Sequence, residues 1–214
     1  MMMKPLLGGL ALSCAIVAAS PALADAPRHV NVLVGNGASI EVLDQGQGPA
    51  LVLLPSRGRG AEDFDELAAR FEQAGYRVLR PQPRGIGGST GPMSGITLHD
   101  LAEDQAAVIR NVARQPVVMV GHAFGNWVAR TTGVDHPELV RGVVIVAAAA
   151  KQYPKGLSEH VDRSAELSLP DAERLKSIQY AFFAPGNDAR VWLNGWYPEV
   201  SESPVSYTHL TLPT

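Results

Sequence analysis

Between Asp25 and Ser203 the apolar positions fall into two alternating periods, short β-branched runs and longer helical stripes. "HVNVLVGNGASIEVLDQGQG" alternates apolar and polar residues on two arms around "GNG", the pattern of a hairpin. "ALVLLP", "YRVLRP", "PVVMVG" and "VRGVVIVAAA" read as strands; the first is a continuous apolar run between turn residues, as a strand covered on both faces requires. Between them, "AEDFDELAARFEQAG" puts Phe64, Leu67, Ala68 and Phe71 on one helical face and stops at Gly75. Thr97 opens "TLHDLAEDQAAVIRNVA" with Asp100 three residues on, a capping-box-like start, and Leu101, Val108, Ile109 and Val112 share its buried side. "FGNWVARTTGVD" is the next helix. Strand and helix in alternation predict an α/β fold: a doubly wound, mainly parallel sheet over residues 28–150, an N-terminal hairpin, and ligands at the carboxyl ends of the strands.

After Ala150 the pattern changes. "GLSEHVDRSAEL", "LPDAERLKSIQYAFFA" and "NDARVWLNGWYPEV" are helical and aromatic, with no β-branched run behind them, so residues 151–203 read as a helical cap above the strand ends. "VVIVAAA" is then expected to be a hydrophobic sheet edge without its C-terminal neighbours, and residues 25–203 alone to be poorly soluble.

Both ends differ from this body. Residues 1–24 carry one Lys, a Gly/Ala-rich apolar run and small residues at Ala22 and Ala24, the form of a signal peptide cleaved after Ala24; the expectation is a periplasmic or secreted protein with no stable membrane anchor after cleavage. Cys14, the one cysteine, lies in that run, so the mature chain is expected to be without thiol chemistry, disulfides or Cys-ligated metal. "VSYTHLTLPT", residues 205–214, resembles an in-frame translation of a sequencing adapter, which makes 204–214 a non-native tail by this reading. Composition narrows the rest: 46% apolar residues in 214 suffice for one sizeable core, and a net charge of −3 gives no reason to expect nucleic acid.

Three Gly-rich loops follow strands: "PSRGRG" (55–60), "PRGIGGS" (83–89) and "GHAFG" (121–125). In this order they resemble the α/β-hydrolase family, specifically its members with an R-G-x-G-x-S loop and a G-H-S-x-G nucleophile elbow. The elbow explains its own letters: a strand that turns into a helix within two residues drives the corner toward positive φ, and only small neighbours fit around it. Here the corner is Ala123, which has no hydroxyl to attack with.

The resemblance implies an ester- or amide-type hydrolase lineage acting on a small molecule. Its oxyanion hole would be formed by the backbone N–H groups of Phe124 and Arg57, with Ser56 as the alternative to Arg57. The family's acid and histidine lie on loops after later strands, so the chain as given lacks all three triad members and is expected to be inactive. Among local residues, His122 reads as packing at the end of a buried strand or as a binding residue. Arg84 reads as an anchor for its loop or as a clamp for a substrate carboxylate. His99, His136, His160 and Asp188 read as structural or solvated. Trp192 and Trp196, with Phe182, Phe183 and Tyr197, read as cap packing or as the wall of a ligand site. No metal spacing and no cofactor motif is evident. Two other classes stay open on the same scaffold: a non-hydrolytic enzyme (a lyase or cofactor-free oxygenase) and a ligand-binding protein.

Overall fold

The computed structural model describes residues 26–35, 37–148 and 154–202; residues 1–24, read above as a signal peptide, and residues 204–214 with His209, read as a non-native tail, lie outside the described residues. Six strands form one sheet: β1 (Arg28–Leu33), β2 (Ser39–Gln45), β3 (Ala50–Leu54), β4 (Arg77–Pro81), β5 (Val117–His122) and β6 (Val140–Val146). Their order is β1-β2-β4-β3-β5-β6. β1 and β2 pair antiparallel as the expected hairpin, with Val30 opposite Val42, and β2 lies antiparallel to β4. From β4 onward the sheet is parallel. Every residue of β3 is buried, because helices cover both faces of the central strand.

One face packs on α2 (Leu98–Val108) and α3 (Phe124–Asp135), where Val52, Met119, Ile109 and Ala129 meet in the larger core. The other face packs Leu53, Val78 and Val120 on Phe64 and Ala68 at the start of α1 (Asp65–Gln73). Thr97 caps α2 through the anticipated capping box: its hydroxyl accepts from Asp100 N–H while Asp100 accepts from Thr97 N–H at 2.7 Å. The single helix expected over 97–113 is not uniform. Its last turn, Ile109–Ala113, winds as a π-helix and closes at Arg114 with φ 56° and Arg114 N–H donating to Ile109 O. That wider turn keeps both Ile109 and Val112 on the core.

Beyond β6 stand α4 (Leu157–Ala165), α5 (Asp171–Phe182) and the short α6 (Pro198–Glu202), the described part of the cap. They carry a core of their own, Ala165, Ile178, Ala189 and Trp196. Among the described strands β6 lies at one edge of the sheet, and Val144, Ile145 and Val146 are each more than 40% exposed. Such an edge is a template for pairing with another chain. Replacing Val144 or Ile145 by Lys is expected to raise the soluble fraction about twofold or more, read by light scattering and sedimentation of matched preparations.

Candidate functional site

β5 delivers the chain to a corner at Ala123 and α3 carries it away at once. The corner residue has φ 47° and ψ −110°, a conformation that costs a residue with a Cβ about 1–3 kcal/mol. Two glycines make it feasible. A Cβ on Gly121 would lie 2.5 Å from the Asn126 backbone, and one on Gly125 would lie 2.3 Å from Leu54 O. The helix can therefore press its first turn onto the end of β3. Asn126, 1% exposed, donates its side-chain amide and its backbone N–H to Ala123 O, and Ala123 N–H donates to Val146 O on β6. The corner is fixed from both sides. Its amides stand at the positive end of a helix twelve residues long.

Phe124, Gly125, Ser56, Arg57 and Gly58 border one cavity of about 80 Å³ against the elbow. The residues assigned by resemblance to the oxyanion hole, Phe124 and Arg57, thus share one wall with the alternative, Ser56. Ser56 is 8% exposed and its carbonyl accepts from Arg59 N–H, which tightens the loop.

His122 is not among the residues that border this cavity, and its ring meets Trp192 edge-on at 5.8 Å. Burial depresses its pKa below the ordinary imidazole value, against the pull of Asp63 and with the help of the Arg59 charge. Of the other histidines, His99 pairs with Asp135 at 2.7 Å, His136 with Glu103 at 2.9 Å, and His160 stacks on Tyr180 at 4.3 Å beside Ser177. Asp188 is held by Arg190, whose hydrogen bonds keep its carboxyl down at about 2. None of these three histidines is brought to the corner.

Arg84 makes the contacts of an anchor. Its Nε and Nη2 donate to the two Asp104 oxygens at 2.7 and 2.8 Å and its Nη1 to Pro92 O at 3.2 Å, with both side chains 2% exposed. Three of its five N–H donors are engaged in this way, the contacts of a loop anchor, and Arg84 also borders the cavity against the elbow. Burial pushes the Asp104 carboxyl up; the Arg84 hydrogen bonds and charge pull it down.

Trp196 takes up the packing alternative. It is 7% exposed, its indole N–H donates to Trp192 O, and its ring packs on Phe182 and Trp192, so it belongs to the cap's own core. Trp192 is half-buried between His122, Phe182 and Phe183.

The residue that joins cap to loop went unremarked in the sequence. Arg59, 4% exposed, grips Asp63 through Nε at 2.8 Å, donates to Asn194 O at 2.7 Å, and lies 4.7 and 5.0 Å from the ring centres of Trp192 and Trp196. Tyr197 N–H donates to Gly58 O beside it. In "PSRGRG" the two arginines look alike; only the distant Asn194 and tryptophans distinguish them.

A doubly wound sheet in the order β1-β2-β4-β3-β5-β6, with a strained strand-to-helix corner at its carboxyl edge, defines the class of proteins that present a reacting group on a nucleophile elbow. The model of the alpha/beta hydrolase fold matches residues 49–189, and the chain belongs to that family. It is similar to 2-(acetamidomethylene)succinate hydrolase of Mesorhizobium japonicum, 30% identical over 108 residues, covering 50% of this chain and 38% of that protein. It is also similar to the mitochondrial palmitoyl-protein thioesterase of Homo sapiens, 26% identical over 153 residues, covering 64% of this chain and 49% of that protein. The chain therefore spans half or less of the length of these relatives. Among solved structures, an esterase from Exiguobacterium antarcticum superposes with a TM-score of 0.67 at 21% identity, over 82% of this chain and 72% of that one, a likeness of fold.

Proposed function

We propose that this is an exported α/β-hydrolase relative of the ester- or amide-cleaving kind. In the chain as given, the elbow receives a small-molecule carbonyl in the cradle of Phe124 and Arg57 but does not form a covalent intermediate. The observation that carries this reading is the corner itself: Ala123 holds φ 47° and ψ −110° with a methyl group where the chemistry needs a hydroxyl. Backbone strain of this kind persists only where surrounding structure enforces it, and Gly121, Gly125 and Asn126 do so here. Among the described residues no histidine paired with a carboxylate stands at the corner. Ala123→Ser is thus expected to supply one member of a unit whose members act together.

With p-nitrophenyl butyrate, the chain is expected to give no burst of nitrophenolate. Ala123→Ser is expected to stay within about tenfold of the parent rate, since a nucleophile without its base recovers little of a triad's effect. A burst equal in amount to the protein, or steady turnover by the parent chain, would overturn the proposal.

A further inference from the structure

The cavity against the elbow is walled by apolar side chains, among them Leu54, Met93, Ile96, Leu101, Val128 and Val200. Into it α2 also turns Gln105, one helical turn beyond Leu101 and next to Asp104. The two polar neighbours are treated differently. Asp104 is saturated by Arg84, whereas Gln105, 8% exposed, has a buried side-chain oxygen that accepts no hydrogen bond among the described residues. A buried amide oxygen without a donor is costly, and native structures keep such groups for a reason.

We infer that Gln105 is a specificity-determining residue of this cavity: it selects a small apolar group that carries a hydrogen-bond donor at its far end, and Oε1 accepts from that donor. The inference rests on the ligand-holding reading of the elbow and adds the chemistry of the group that enters beside it. The size limit follows from the space. A cavity of about 80 Å³ is roughly half of one that admits benzene, which leaves room for a chain of about four heavy atoms.

The test uses the chain as it exists and two probes of one shape within that size limit, acetamide, which carries N–H donors, and acetone, in which a methyl replaces the amine. Affinities are measured by ligand-observed NMR titration for the parent and for Gln105→Met. The ratio of acetamide to acetone affinity is expected to fall about tenfold in Gln105→Met, the loss of one hydrogen bond, while acetone binds as well or better. Gln105→Met is also expected to unfold at the same or a higher urea concentration, since it removes an unmatched buried oxygen.

An unchanged ratio, no binding of either probe to the parent, or a Gln105→Met protein that is clearly destabilised would each overturn the inference. The first of these leaves the elbow reading intact. Ester turnover by the parent chain, conversely, removes the non-catalytic reading and leaves Gln105's selectivity standing.

Discussion

Gly125→Ala is expected to lower the stability of the protein by about 3 kcal/mol or more, an overpacking cost at the upper end of its usual range. The atoms a new Cβ would meet are Leu54 O at 2.3 Å, Pro55 O at 2.7 Å and Leu54 C at 2.8 Å. All belong to the main chain at the end of β3, so no flexible side chain can yield. The helix must lift from the sheet, and the corner at Ala123 must open with it. Gly142→Ala is the matched control, because a Cβ there meets nothing within 4 Å. Urea unfolding should move the midpoint of the first variant steeply and leave that of the second nearly unchanged, with equal slopes. Equal midpoints for the two would mean that α3 does not press on β3 as described.

The second large effect lies in the Arg84–Asp104 pair. Asp104→Ala leaves a guanidinium that is 2% exposed without its carboxylate, and a loss of about 3–5 kcal/mol is expected. Removing both charges together is a different experiment. Arg84→Met with Asp104→Leu is expected to stand within about 1 kcal/mol of the parent, because the desolvation of two ions is abolished along with their attraction. The upward push that burial exerts on Asp104 points the same way. A double variant as unstable as the single one would show that the hydrogen bond to Pro92 O, and not the ion pair, holds the 83–89 loop.

Much of this architecture could be read from the residues in order. "ALVLLP" announced a strand covered on both faces, and β3 is buried throughout. "VVIVAAA" announced an edge, and β6 is one among the described strands. The elbow was legible because Gly121 and Gly125 answer to a local steric demand that no other residue meets. What stayed hidden depends on partners far along the chain. Arg84 finds Asp104 twenty residues on. Arg59 finds Asn194 across 135 residues. Trp196 stood open between cap packing and a ligand wall, and the packing became visible only where the fold placed Phe182 against it. Gln105 did leave a trace, a polar residue within the apolar stripe of Leu101, Ala102, Val108 and Ile109, but a stripe alone does not tell whether such an oxygen will find a donor.

Arg59 has one mechanical result. A single guanidinium on the loop after β3 grips Asp63 and lies beside the rings of both Trp192 and Trp196. The two segments are therefore coupled: shifting the tryptophans would pull on Arg59 and so on the loop whose Ser56, Arg57 and Gly58 border the cavity.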